Sequence, residues 1–220
     1  MTDTAPKRIV FCDFDGTITA EETFVAMLRE FTPDVAAKLM PQIYDLTLTL
    51  REGVRQMLES IPSSRYPEVL EFAKTKAIRP GLVELLDFLD DRQVPFVVIS
   101  GGLTGMVETV LGDLNSRVLA IHAVDVDTSG EYFQPRSSCE GETEFVAKVE
   151  IVKGYGVEDW VAIGDSVTDL NMAMAAPLVF ARHRLCQYLD ERGKAYEPFE
   201  TFFDVLDRLK SLWSGDVCLG

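Results

Sequence analysis

The sequence predicts an α/β fold: a doubly wound, Rossmann-like, mostly parallel sheet with a small helical unit inserted after the first strand. Three observations carry that expectation. Short apolar runs rich in β-branched residues recur at Ile9-Val10-Phe11-Cys12, Phe96-Val97-Val98-Ile99 and Trp160-Val161-Ala162-Ile163, as strands buried on both faces require. Helical periodicity separates the later runs, the alternation expected of a parallel sheet. Residues 20–78 are helical in pattern, with no convincing strand. The expected division is a core of residues 1–19 and 79–220 and a helical cap of residues 20–78.

In order, the first strand is expected at residues 7–12. From Glu21 the pattern turns helical: Phe24, Met27, Leu28 and Phe31 recur at three and four, a stripe suited to a packed core. Helix continues through 33–76, with breaks expected near Pro41, Pro62 and Pro67. Arg79-Pro80-Gly81 restarts the chain, Pro being favoured near a helix start. Leu82, Leu85, Leu86 and Leu89 then form one helical face. The strand at 96–99 ends in Ser100-Gly101-Gly102, and a helix through Met106, Val107, Val110 and Leu111 follows. Residues 117–126 read as a strand, Thr128-Ser129-Gly130 as a turn and 131–134 as a hairpin return. Helix is expected over 142–155, strand over 160–163, helix over 168–175 and a short strand over 178–180. Phe202, Leu206, Leu209 and Trp213 dock a C-terminal helix on the core.

The 220 residues are 47% hydrophobic, enough for one core. Lys and Arg number 21 against 36 Asp and Glu, a formal charge of −15. That balance argues against nucleic-acid or anionic-membrane partners, and an anionic substrate would need a locally positive pocket. Cys12, Cys139, Cys186 and Cys218 contain no CxxC pair, which points to reduced thiols and a cytoplasmic setting. His122 and His183 are the only histidines, too few for a His-rich metal site. The opening Met1-Thr2-Asp3-Thr4-Ala5-Pro6 lacks the apolar core of a signal peptide, and no apolar run approaches the ~18 residues of a membrane span.

Three expected strand ends carry polar groups: Asp13 and Asp15, Ser100 with its glycines, and Gly164-Asp165 with Asp169. In a doubly wound sheet they converge on one edge. Lys148 lies between the last two on an expected helix. Each alone is matched by a bland reading, a helix cap for the acids and Ser100, a solvated residue for Lys148. Together they fit phosphoryl transfer through an aspartyl phosphate. Asp13 is the expected nucleophile. Mg²⁺ would screen its charge, held by Asp13, Asp165 and the backbone carbonyl of Asp15. Asp169 would either ligate the metal or orient a metal-bound water or Lys148. Asp15 is the expected general acid and base. Ser100 and the Gly101 amide would hold the phosphoryl oxygens, and Lys148 would add fixed positive charge.

Asp13-Phe14-Asp15-Gly16-Thr17, Ile99-Ser100-Gly101-Gly102, Lys148 and Gly164-Asp165-Ser166-Val167-Thr168-Asp169 resemble the four motifs of the haloacid-dehalogenase-type phosphatases. The resemblance spans residues 8–180. It implies the same residue roles, a haloacid-dehalogenase-like core, a small cap after the first strand, and a small phosphorylated metabolite as substrate. Glu52-Gly53-Val54, Ile61-Pro62-Ser63-Ser64 and Phe180-Ala181-Arg182 are similar to the branch acting on a phosphorylated enol of methionine salvage. A cysteine-rich stretch found in that branch is reduced here to Cys139. Glu22-Thr23 resembles the phosphoserine phosphatase branch, which implies substrate contact for Glu22 and for a cap arginine, Arg51 or Arg55. Phe24, Tyr44, Met57 and Arg51 are expected on the underside of the cap or in its core.

Two readings from other classes fit the sequence less well. A receiver-like phosphate-binding module uses a similar acidic cluster without turnover, but Asp15 and the cap exceed its needs. A dinucleotide-binding protein would need a first glycine that Ser100-Gly101-Gly102-Leu103-Thr104-Gly105 lacks, with Asp125 or Asp127 on a ribose, and would leave Asp13 and Asp165 unexplained.

Overall fold

The computed structural model describes residues 6–214; Met1 to Ala5 and Cys218 lie outside them. The sheet has seven strands in the order β4-β3-β2-β1-β5-β6-β7. They are β1 (Arg8–Asp13), β2 (Phe96–Leu103), β3 (Ala120–Asp127), β4 (Gln134–Arg136), β5 (Asp159–Gly164), β6 (Leu178–Ala181) and β7 (Glu197–Pro198). All neighbours pair in parallel except β3 and β4.

The central strands are buried on both sides because their side chains alternate. Ile9, Phe11, Val97, Ile99 and Ala162 join one apolar cluster, and Val10, Cys12, Phe96, Val98 and Ile163 the other. The second face is covered by α5 (Leu82–Asp91) and α10 (Phe202–Leu212), through Leu82, Leu85, Leu86 and Leu89 and through Phe202, Leu206 and Leu209. The first carries α7 (Lys148–Gly154), α8 (Leu170–Ala175) and α9 (His183–Asp190). It also carries side chains from α1 (Thr23–Phe31), α2 (Pro33–Tyr44), α3 (Leu50–Leu58) and α4 (Tyr66–Lys74). Helix α6 (Thr104–Leu111) contributes to both faces.

Between β1 and α5 the chain is helical apart from turns. It leaves and returns side by side: Thr19 bridges Ile78, and Ala20 N–H donates to the Ala77 carbonyl at 3.0 Å. Register brings the motifs together. Asp13 pairs with Ile99 and Cys12 with Ile163, so Ser100 and Asp165 fall at the same carboxyl edge as Asp13. The chain order reverses on either side of β1, where open α/β sheets bind ligands.

Four local expectations are corrected. Helix α2 runs through Pro41 and ends three residues later. Residues 137–147 are not helical; α7 starts at Lys148, because Phe145, Val146 and Ala147 are buried as an irregular loop. The hairpin return falls at 134–136 rather than 131–134. Helix α9 and β7 follow β6, where the sequence pattern showed neither. Among the described residues Cys12, Cys139 and Cys186 are free thiols, and no helix is long and apolar enough to cross a membrane.

Candidate active site

Asp13 ends β1, and the five residues after it form a wide turn. Gly16 sits at φ +75°, and a Cβ there would strike the Asp165 carboxylate, so the turn needs glycine. The turn is held from below. Arg79, buried at the approach to α5, donates to the carbonyls of Thr17 (2.8 Å), Gly16 (2.7 Å), Thr19 (3.1 Å) and Glu200 (3.1 Å). Arg182 Nη1 adds a second donor to the Gly16 carbonyl at 2.8 Å. The sequence marks Arg79 only as part of a helix start and Arg182 only as part of a resemblance; their hold on this turn leaves no side-chain pattern, because both act on backbone carbonyls.

The chain beyond β5 is equally constrained. Asp169 Oδ2 accepts from the amides of Asp165 and Ser166, each at 3.0 Å. Its Oδ1 accepts from Lys148 Nζ at 2.6 Å, and the same ammonium is bonded to Asp13 Oδ1. One ammonium therefore lies between two carboxylates, and all three side chains are almost fully buried. Asp165 adds a third carboxylate: ligand oxygens of Asp13, Asp165 and Asp169 lie within 4.8 Å of one another.

Burial sets the protonation of this group. Burial first, and then the Asp169 charge, push Asp13 well above the usual carboxylate range and Asp165 up to about 7. Burial alone would lower Lys148, but Asp13 and Asp169 outweigh it and raise it. Asp15 is pushed up to about 6 by burial, partly offset by the Phe24 amide, which donates to its Oδ1 at 2.9 Å. Asp15 thus caps the start of α1 and also faces the site. Gly102 leaves it room, since a Cβ there would lie 3.0 Å from Asp15 Oδ2.

Two buried oxygens, Asp13 Oδ2 and Asp165 Oδ1, have no hydrogen-bond partner. Three clustered carboxylates against one ammonium, two of them with an unpartnered oxygen, fit a divalent cation, because unpaired buried charge is costly. Asp169 has both oxygens committed, which favours holding Lys148 and the loop over direct ligation.

A cavity of about 360 Å³ opens above these acids. Asp13, Asp15, Asp165 and Gly101 border it on the sheet side, and Phe24, Met40, Ile43, Tyr44, Val54 and Met57 on the helical side. The Phe24 and Leu28 stripe is therefore both core and cavity wall. Glu22 borders the cavity, and so do Arg29, Glu144, Arg184 and Tyr188, which the sequence did not single out. Ser100 is fully buried beside it, its Oγ accepting from the Gly102 amide at 2.9 Å, which leaves its own O–H to donate. Arg51 and Arg55 do not border the cavity. Arg51 Nη1 donates to the Gly141 carbonyl at 3.1 Å and Arg55 Nη2 to Glu140 at 2.6 Å.

A buried Asp-x-Asp turn, a Lys148–Asp169 pair and a helical roof over the carboxyl edge of a parallel sheet define a hydrolase class. Residues 10–174 match the haloacid dehalogenase-like hydrolases, and the chain belongs to that family. A curated relative from Microcystis aeruginosa (strain NIES-843 / IAM M-2473), named 2-hydroxy-3-keto-5-methylthiopentenyl-1-phosphate phosphatase, is 54% identical over 205 residues, covering 92% of this chain and 98% of the relative. One of the same name from Bacillus mycoides (strain KBAB4) is 34% identical over 211 residues, covering 92% and 96%. A solved phospho-aspartyl intermediate analogue of phosphoserine phosphatase superposes with a TM-score of 0.68 at 21% identity, covering 93% of this chain and 99% of that one. A probable phosphoserine phosphatase from Vibrio cholerae gives 0.70 at 20% identity, covering 98% and 69%. The last two bear on the fold alone.

Proposed function

We propose that the protein is a cytoplasmic, Mg²⁺-dependent phosphomonoesterase of methionine salvage that cleaves 2-hydroxy-3-keto-5-methylthiopentenyl-1-phosphate through an aspartyl phosphate. One observation carries the reading: two carboxylates of different environment, Asp13 against Lys148 and Asp15 against a helix start, face one apolar-walled cavity. The apolar roof fits an uncharged methylthio chain, and the names of the two relatives agree with it. Residues 20–78 act as the cap.

In this mechanism Lys148 orients Asp13 and partly neutralises it. Asp13 attacks phosphorus, and the bond from phosphorus to the leaving alkoxide oxygen breaks. Asp15, with a pKa pushed to about 6, gives its proton to that oxygen. It then takes a proton from the water that attacks the aspartyl phosphate, releasing inorganic phosphate and restoring Asp13. The Ser100 hydroxyl and Gly101 amide hold phosphoryl oxygens; an added Cβ at Gly101 would meet nothing within 4 Å, so its backbone is approachable. Mg²⁺, held by Asp13, Asp165 and the Asp15 carbonyl, would supply the charge that lets an anion approach a phosphate.

The test is phosphate release from a panel of small phosphomonoesters, with Mg²⁺ and with EDTA. Preference for the enol ester, lost in EDTA, is expected. Glu22 at the cavity favours a second reading, phosphoserine, whose ammonium it could pair. Preference for phosphoserine would replace the substrate and keep the chemistry.

A further inference from the structure

The loop of residues 139–147 leads into α7 and is bonded to the outside of α3 through Arg51 and Arg55. It is closed on itself by Ala147 N–H to the Cys139 carbonyl at 2.8 Å and Gly141 N–H to the Glu144 carbonyl at 2.9 Å. Glu144, Phe145 and Val146 border the cavity. Ala147 precedes α7, whose first residue is Lys148. No flexible spacer lies between this loop and the ammonium at Asp13.

On its other side the loop is gripped by α3. The backbone N–H of Arg51, one of the unpaired donors in the first turn of that helix, donates to the Thr143 carbonyl at 2.9 Å. The Arg51 guanidinium takes the Gly141 carbonyl, and the Arg55 guanidinium takes Glu140 while lying 4.9 Å over the Phe145 ring. On the core side Glu144 accepts from Asn171 at 2.9 Å, two residues after Asp169. The loop is thus clamped between α3 on one side and, on the other, α7, which carries Lys148, and α8, which follows Asp169 directly.

We propose that Arg51 and Arg55 are positioning residues: by fixing the 139–147 loop to α3 they set Lys148 against Asp13, and so couple the seating of the helical cap to the competence of the nucleophile. The kinetic consequence rests on the phosphatase reading; the mechanical link rests on geometry alone. The Arg55–Glu140 pair is part-exposed, about a third on each side, so it adds little to folding stability. Its worth is in placing the loop, and small displacements at a reacting group are costly in rate.

The test compares Arg55→Ala, Glu140→Gln, the double variant and Arg55→Lys in the full chain. Readouts are kcat and KM on p-nitrophenyl phosphate, the melting temperature, and hydrogen exchange at the amides of residues 143–152. Arg55→Ala and Glu140→Gln should each lower kcat about tenfold with KM within about twofold. The double variant should be no worse than either single, because both remove one clamp. Arg55→Lys should recover most of the rate, and melting should stay within about 2 °C. Amides at the start of α7 should exchange faster in the first three variants. A Glu140→Gln variant with normal kcat, beside an Arg55→Ala variant with raised KM, would overturn the proposal in favour of direct substrate contact. Unchanged exchange at α7 would overturn it too, even if no ester is hydrolysed. A wild-type protein inert toward every ester would sink the phosphatase reading separately.

Discussion

Replacing Arg79 by Ala removes the donors that hold the turn carrying Asp15. Four carbonyls lose a guanidinium bond, those of Gly16, Thr17, Thr19 and Glu200. Gly16 keeps Arg182, and the Glu200 contact is only part-buried. Two carbonyls, Thr17 and Thr19, therefore carry most of the cost, at about 1–3 kcal/mol for each buried acceptor left unpaired. Part of this is returned, because burial, and then Arg182, already disfavour the charged guanidinium and lower its pKa. The expected loss is about 3 kcal/mol, a fall in melting temperature of about 6–12 °C for a chain of this size. Urea unfolding should show a lower midpoint with an unchanged slope. Arg79→Lys should recover less than half, since a single ammonium cannot span the forked set of acceptors. Phosphate release should fall with stability, because Asp15 is bonded directly to Gly16. A loss below about 1 kcal/mol would refute the reasoning, showing that these carbonyls find other donors.

Three further outcomes are expected. Asp13→Asn should abolish phosphate release while circular dichroism stays native, because the amide oxygen can still accept from Lys148; retained turnover would remove Asp13 from the mechanism. Gly164→Ala should lower the melting temperature by several degrees, since the new Cβ would lie 2.6–2.7 Å from the Asp169 side chain, which is fixed by three bonds. Asp204 accepts from the Thr201 amide at 2.8 Å and the Glu200 amide at 3.0 Å, and these bonds lower its pKa. Its stabilisation is then complete above the unfolded value of about 3.9 and lost as pH falls through the lower folded value. The melting deficit of Asp204→Asn should be present at pH 7 and shrink below about pH 4; a deficit that ignores pH would contradict that account.

The catalytic edge was legible because its residues lie next to strand ends, and a buried parallel strand announces itself by an apolar run. Asp13, Ser100 and Asp165 needed only the register of three such runs. Lys148 was legible as a residue but not in its setting. Phe145-Val146-Ala147 is apolar enough to extend a helical pattern backward, yet those side chains are buried from a loop. A cap arginine, Arg51 or Arg55, was expected at the substrate from the family resemblance, and a polar face on a cap helix does not say which way it turns. Their partners, Gly141 and Glu140, lie 90 and 85 residues away. Helix α9 was missed for want of a long apolar stripe, and β7 because two residues carry no periodicity. Of the cavity wall, Phe24, Tyr44 and Met57 were expected on the cap's underside or in its core, whereas Leu28 read as core alone because a cavity wall and a packed core ask for the same apolar side chains.

The two outer strands of the sheet have a consequence for the protein in a crowded cell. Strand β4 is Gln134-Pro135-Arg136 and β7 is Glu197-Pro198, so each border is two or three residues long, carries a charge and contains a proline with no N–H to offer. A free strand border normally invites another chain to zip onto it, and short, proline-bearing, charged borders deny that invitation. Each of these two borders therefore resists the pairing that lets a sheet grow into fibrous stacks.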